Sequence, residues 1–325
     1  MLKHAENRIV IGKFGEQYEQ PLNKTDTVVF RRMKPFDANA NETPNIDLED
    51  FALSEGVVPD ANTIDYTDVT VTLQEYGVLF KFSNKTAYMY EDDIPANMQK
   101  LTGETMGLVC EKIAYGSARG GTSVKYANGT TRAGINTAMQ IEDLRAIART
   151  LEANYGNYVT SAIKAGPNFD TNPIEESFIV FVHTDCVADI RDLPGFTKRI
   201  QYGTAIKPVH KREFGECEGF RFVTSPFFEP YLAAGSGTLN GMKAADATNV
   251  DVYPSIVIAE DALGHVALKG HGKTAITPTL IPVSQKNHAN PLGQIGYVGA
   301  SVWTASVRLN ENWMVRYESG VSSLA

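Results

Sequence analysis

The sequence predicts an α+β protein. Strand and helix periodicities alternate irregularly along the 325 residues, with no strand–helix–strand repeat. Thr137–Tyr155 carries one apolar helical face, with Ile141, Leu144, Ile147, Ala148, Leu151 and Tyr155 at i, i+3, i+4 spacing. Tyr66–Phe82 alternates as a half-buried strand, whereas Phe178–Val182 (FIVFV) is a continuous apolar run that reads as a strand buried on both faces.

Taken in order, Met1–Lys24 has no sustained period and reads as an extended arm that orders against a partner surface. Thr25–Arg32 is a short β-rich stretch. Met33–Asp65 is polar and rich in Asn, Asp and Pro, too long for an internal loop and therefore projecting or functional. In Tyr66–Phe82, Val69, Val71 and Leu73 share one face and Val78, Phe80 and Phe82 another, with a bend expected at Gly77. The two β stretches flank the polar tip as a ribbon. A two-stranded ribbon is marginal alone, so it should lean on another subunit.

A long helix follows. Asp93 is the expected N-cap, Pro95 sits in the first turn, and Met98, Leu101, Leu108, Val109 and Ile113 give an apolar spacing from Ile94 to about Tyr115, ending at Gly116. Ser117–Asn136 reads as loop. Thr137 and Gln140 form a T-x-x-Q capping box for the next helix, which Gly156 should end. A short helix is expected over His183–Arg191, and strands over Glu218–Thr224, Val252–Ala259 and Gly296–Tyr317.

Composition bounds the function. Hydrophobic residues make up 43% and charged residues 21%, a globular balance that excludes disorder and low complexity. A net charge of −8 argues against a dedicated nucleic-acid binder. No apolar run approaches the roughly 20 residues needed to span a bilayer, and Met1–Val10 lacks the pattern of a secretory signal. Cys110, Cys186 and Cys217 are too few and too far apart for a disulfide framework or a zinc site, and read as core residues in a reducing cytosol.

Each candidate for chemistry has a plainer reading. Gly270-His-Gly-Lys-Thr274 ends like a phosphate loop, but Ala267 stands where the first glycine belongs, and Pro278 and Pro282 break any following helix. Gly235-Ser-Gly237 lacks the third glycine of a dinucleotide fingerprint, with Asn240 in its place. His183, Asp185 and Cys186 are adjacent, whereas nucleophile triads gather distant residues; Thr184 or Asp185 as a helix cap is the better reading. His265, His271 and His288 lie in segments without paired carboxylates and read as surface residues. Glu91-Asp92-Asp93 complements a helix start, and Lys207–Arg212 reads as a solvated basic run. No catalytic, cofactor-binding or metal-binding set is assigned.

Several segments together resemble the major capsid proteins of tailed bacteriophages, more narrowly the N4-gp56 type with its HK97-like shell fold. They are Val28-Val-Phe-Arg31 before the tip, Ser54-Glu-Gly-Val-Val-Pro59, and Val69–Phe82 with Gln74-Glu-Tyr-Gly77. They continue through the helix after Thr137, Phe181-Val-His183 with Asp189-Ile-Arg-Asp192 and Phe196, Phe214–Ser225, and Gly293–Ser319. Cys217 departs from the pattern, where the family more often has Gly. The resemblance covers roughly Thr25 to Ser319. It implies an N-terminal arm (1–24), an extended E-loop (25–82), a P domain with a long spine helix (83–132), an A domain (133–295) and C-terminal P-domain strands (296–325). The expected assembly residues are Ile46, Leu48, Phe51, Leu53, Glu55, Val57, Val58, Pro59, Val69, Val71, Tyr76 and Phe80 on the E-loop.

The function implied is structural: self-assembly into hexamers and pentamers of an icosahedral head around double-stranded DNA, without enzyme activity or cofactor. The implied partners are further copies of the chain, a portal protein, a separate scaffolding protein, an optional decoration protein, and packaged DNA held without sequence-specific contacts; no membrane is involved. The implied location is the virion, assembled in the host bacterial cytoplasm. An encapsulin-like bacterial compartment is the alternative within the same fold, and a soluble hydrolase using His183 or Asp185 the alternative from another class.

Overall fold

The structure, a computed structural model, describes residues 8–35, 44, 46–53, 55–56, 58, 62–161, 175–202, 208–269, 276–286, 288 and 290–324. Its strands are β1 (Glu16–Gln20), β2 (Thr27–Met33), β3 (Tyr66–Thr72), β4 (Gln74–Ser83), β5 (Val124–Tyr126), β6 (Phe178–His183) and β7 (Thr197–Lys198). They continue as β8 (Glu213–Cys217), β9 (Phe220–Ser225), β10 (Tyr253–Ile258), β11 (Leu263–Leu268), β12 (Ile276–Ile281), β13 (Ile295–Arg308) and β14 (Met314–Ser319). The helices are α1 (Asn84–Met89), α2 (Ile94–Arg119), α3 (Ile141–Ala153) and α4 (Val187–Arg191).

Among the described residues three sheets result. A seven-stranded sheet has the order β5-β14-β10-β6-β9-β8-β7. A five-stranded sheet runs β1-β11-β13-β12, with β4 also paired to β13. β2 and β3 form a separate two-stranded ribbon.

The seven-stranded sheet is buried on both faces, as the continuous apolar run of β6 requires. On one face Phe178, Val180 and Val182 meet Leu144, Ile147 and Leu151 of α3. On the other, Ile179 and Phe181 meet Ala114, Tyr115 and Ala118 of α2 together with Val10, Ile11 and Phe14.

Helix α2 joins the two large sheets. Its 26 residues run about 39 Å at 1.5 Å each. Asp93 Oδ1 accepts the Ala96 N–H at 3.1 Å, the cap expected from sequence. The first half of the helix covers the five-stranded sheet, with Met106 against Ile276, Ala300 and Val302. The helix passes through exposed Gly116 and ends at Arg119, one turn beyond the expected stop. Arginines receive the carbonyls of its last turn: Arg308 donates to Ser117 O at 2.6 Å, and Arg316 to Arg119 O and Gly121 O. Arg132 and Arg316 both bond the fully buried Glu318, and Arg119 and Arg132 lie over the Tyr231 ring at 3.7 and 3.6 Å from its centroid.

Several expectations are corrected. Residues 8–20 dock on their own chain: β1 pairs in parallel with β11, and Val10 and Ile11 are fully buried. Glu111 of α2 accepts the Val10 N–H at 2.8 Å and the Ile11 N–H at 3.1 Å. Gly15 makes the turn between them with φ +83°, where a Cβ would stand 2.3 Å from Leu263 O. Residues 1–7 lie outside the described residues.

The expected ribbon strand Tyr66–Phe82 breaks at Leu73 instead of bending at Gly77, because β3 pairs with β2 while β4 joins β13. Helix α3 starts at Ile141, and Thr137 bonds Asn128 Oδ1 instead of capping it. Tyr155 leaves the helical face, exposed and at positive φ. β5 adds a strand inside the expected loop 117–136. The sheets also cross the linear division drawn from sequence. β11 and β12, from 133–295, pair with β13, whereas β14, from 296–325, lies in the seven-stranded sheet.

Candidate interaction surface

The ribbon is held in register from Thr27↔Thr72 to Met33↔Tyr66. Its alternation gives it one inner and one outer face. Val28, Phe30, Val71 and Leu73 pack on Val266, Trp303 and Ala305 of the five-stranded sheet. Val29, Met33 and Tyr66 are exposed. On the outer face Arg31 holds Asp68 through two bonds of 2.8 Å, which lowers the carboxyl's pKa below its ordinary value.

Beyond Met33, Pro35 and Pro44 line a small pocket with Asn154, Tyr155 and Trp313 of the body. Asp47 accepts the Glu49 N–H at 3.1 Å and starts a single 3₁₀ turn, Leu48–Phe51. Ile46, Leu48, Phe51, Leu53 and Val58 are all exposed, Leu48 to 82% and Val58 to 88%. Glu55 is exposed as well. Val57 and Pro59 lie outside the described residues.

Of the remaining expected assembly residues, Val69 and Val71 are half-buried on β3, and Val71 packs on the chain's own body. Tyr76 and Phe80 stand on β4, away from the ribbon, and Tyr76 packs with Val78 against Met106, Ala300 and Val302 beneath α2. Strand pairing separated these two residues from the tip, and local alternation alone carries no sign of it.

Electrostatics single out the same tip. Residues 36–65 contain eight carboxylates and no Lys or Arg, so this segment alone equals the net charge of −8. Exposed apolar side chains among unbalanced carboxylates do not suit a solvated loop, and they suit a contact with a less acidic surface.

At the ribbon's base, a cleft of about 550 Å³ opens between β1 and β2. Glu16 and Tyr18 of β1, Val28–Met33 of β2 and Val69 of β3 line it together with Asp261, Leu309 and Trp313. Sequence reasoning missed this cleft, because β1 itself was not expected.

The residues considered for chemistry are engaged structurally. The expected cap at Thr184 or Asp185 is made by His183, whose Nδ1 accepts the Asp185 N–H at 3.1 Å. Asp185 instead receives Lys243 Nζ at 2.6 Å and the Tyr253 hydroxyl at 2.9 Å, tying the start of β10 and the loop before it to the turn that precedes α4. Burial pushes the Cys186 thiol well up, away from the thiolate a nucleophile needs. His265 is buried on β11, its Nδ1 3.0 Å from Ser306 Oγ, instead of lying at the surface. His271 and Gly270–Thr274 lie outside the described residues, as does Lys207. Gly235 is packed against Ile135 and Val250. Among the described residues, no group of three or more His, Cys, Asp and Glu could hold a metal ion, and no helix is long and apolar enough to cross a membrane.

No family model matches the chain, and no curated protein matches it. Solved structures do. The capsid of Ralstonia phage GP4 superposes with a TM-score of 0.66 at 11% identity, covering 95% of this chain and 87% of that one. The capsid of cyanophage Pam1 gives 0.58 at 12% identity, covering 94% and 89%. The SrpI encapsulin complex of Synechococcus elongatus gives 0.55 at 11% identity, covering 96% and 88%.

Proposed function

We propose, from the HK97-like fold that the chain shares with these shells, that it is a phage major capsid protein. In this reading it self-assembles into hexamers and pentamers of an icosahedral head enclosing double-stranded DNA, and performs no catalysis. The observation that carries the reading is the exposed apolar tip on a two-stranded ribbon, an arrangement that makes sense when another copy buries it. The narrower N4-gp56 likeness rests on the sequence motifs. Portal and scaffolding proteins, an optional decoration protein and assembly in the host cytoplasm belong to the same proposal. So does an interface built from the E-loop, of which Ile46, Leu48, Phe51, Leu53 and Val58 have the exposure it requires.

The test replaces Lys34–Ala61 with a short Gly/Ser turn. The expected product is a folded, soluble protein with the wild-type melting transition that no longer forms megadalton particles in gel filtration. Closed shells of normal size from this variant would overturn the role of the tip. A second reading, an encapsulin-like compartment, is favoured by the match to the SrpI complex. Purified particles decide between the two: nuclease-protected DNA supports the capsid, and enclosed protein the compartment.

A further inference from the structure

The dipeptide Asn-Gly occurs twice in the chain, at Asn128-Gly129 and Asn240-Gly241. A glycine leaves the peptide nitrogen after an asparagine unshielded by a Cβ, so that nitrogen can attack the asparagine's own side-chain carbonyl as an intramolecular nucleophile. In a folded chain the attack requires the carboxamide to turn back over that nitrogen. The two sites differ sharply in this freedom.

Asn128 is half-buried and fixed at both ends of its amide. Its Nδ2 donates to Gly134 O at 2.9 Å and to Asn136 Oδ1 at 2.8 Å. Its Oδ1 accepts the Asn136 N–H at 3.0 Å and the Thr137 hydroxyl at 3.1 Å. Asn240 and Gly241 are both exposed. Among the described residues the Asn240 carboxamide makes one bond, from Nδ2 to Asn136 O at 3.4 Å. Asn240 and Gly241 are the central pair of a turn closed by the Met242 N–H on Leu239 O at 2.7 Å, with φ of +45° and +75°. This is the type I′ form that Asn-Gly favours. A Cβ built at Gly241 would meet nothing within 4 Å, so a five-membered ring has room to form there. Opening this turn for the attack gives up few bonds, all at the surface.

We infer that Asn240 is a site of spontaneous deamidation, from which Asn128 is protected. The Gly241 nitrogen forms a bond to Asn240 Cγ, the Cγ–Nδ2 bond breaks, and the proton of the Gly241 N–H leaves with Nδ2 as ammonia. Water then opens the resulting succinimide at either carbonyl. One opening gives aspartate. The other gives isoaspartate, whose main chain runs through Cβ and Cγ and is one atom longer. No oxidant or cofactor enters.

The turn is also a clasp. The Lys243 N–H donates to Val321 O at 2.7 Å, the Ser323 N–H to Gly241 O at 2.8 Å, and Met242 is bridged to Ser322 between them. These bonds hold 321–323 on the body, where Val321 is 3% exposed in the core with Leu144 and Ile147. A main chain lengthened between residues 240 and 241 cannot keep both the Leu239–Met242 bond and the Gly241 carbonyl on Ser323. The segment 321–323 therefore loosens as the molecule ages. This does not depend on the shell reading.

The test ages the full chain in mildly alkaline H₂¹⁸O, beside a synthetic peptide of residues 237–243. Digests taken at intervals go to mass spectrometry with electron-transfer fragmentation, which separates aspartate from isoaspartate, and the ¹⁸O distinguishes ageing from digestion. Labelled aspartate and isoaspartate are expected at position 240, with conversion at Asn128 slower by about tenfold or more for its three additional hydrogen bonds. Equal rates at the two sites, or an intact Asn240 after the peptide has converted, overturn the assignment. Amide exchange reads the clasp: aged protein should exchange faster at Lys243 and Ser323 and unchanged at Ile179 and Val180. Fresh Asn240→Asp, which carries the charge without the longer chain, should exchange as fresh wild type does. Unchanged exchange in aged protein, or acceleration already in fresh Asn240→Asp, overturns the loosening by isoaspartate.

Discussion

Replacing Glu111 with Ala isolates the attachment of the N-terminal segment. The carboxylate is 1% exposed and accepts the backbone N–H groups of Val10 at 2.8 Å and Ile11 at 3.1 Å. A hydrogen bond to a charged acceptor contributes about 1.5–3 kcal/mol. Burial offsets part of this, since it raises the Glu111 pKa above its ordinary value despite the backbone donors. A net loss of about 2–3 kcal/mol in local attachment follows, or roughly 30- to 150-fold in its opening equilibrium. Hydrogen exchange read at Val10 and Ile11 should accelerate by that factor, while Ile179 and Val180 in the centre of the sheet keep their protection. The pH dependence has a definite sign. With its folded pKa raised, Glu111 favours the attached state most under acid conditions, and this contribution is lost as pH rises from about 4.5 through the folded pKa. The variant should lack that component. Unchanged exchange at Val10 and Ile11, or equal acceleration throughout the sheet, would refute the reasoning.

The remaining expectations concern the core and its titration. Burial beside Lys13 and Arg212 lowers the His210 pKa to about 4, so the folded protein refuses a proton that the unfolded chain accepts below about 6.5. Stability from this group is full above that pH and falls on acidification towards 4; His210→Gln should flatten the decline by about 1–3 kcal/mol in urea melts across that range, and parallel curves would count against it. Leu144→Ala, at a fully buried site facing β6, should cost about 2–5 kcal/mol in chemical denaturation. The three free cysteines are buried or half-buried, so dithiothreitol should leave assembled particles unchanged in light scattering.

What the sequence revealed was local. The face of α3 and the buried strand β6 follow from spacing alone, because one helix stripe or one apolar run decides burial. The start of α2 was equally legible, since Asp93 caps it within a turn. What stayed hidden depends on distant partners. β1 (EQYEQ) is mostly exposed and polar, and is a strand only because β11, about 250 residues later, offers it an edge. The break at Leu73 exists because two strands compete for one alternating segment and each takes half. Gly116 looked like a stop, yet packing on both sheets and arginines at its carbonyls carry α2 another turn. Within the candidate surface, the exposed tip follows from its polarity and length, whereas the cleft depends on β1, which exists only through its pairing with β11.

The path from β13 to β14 bears on when the protein becomes competent during synthesis. One uninterrupted stretch, Ile295–Ser319, supplies the strand that joins β11, β12 and β4, and then the strand that joins β5 to β10. Until these residues have left the ribosome, β4 has no neighbour and β5 is severed from its sheet. Helix α2 meanwhile lacks Arg308 and Arg316 at its final carbonyls. A nascent chain that still lacks this stretch therefore has two incomplete layers and no finished surface to offer. If the chain assembles as proposed above, prematurely terminated chains do not join the assembly, and the time at which subunits begin to associate is set by translation of a single late segment.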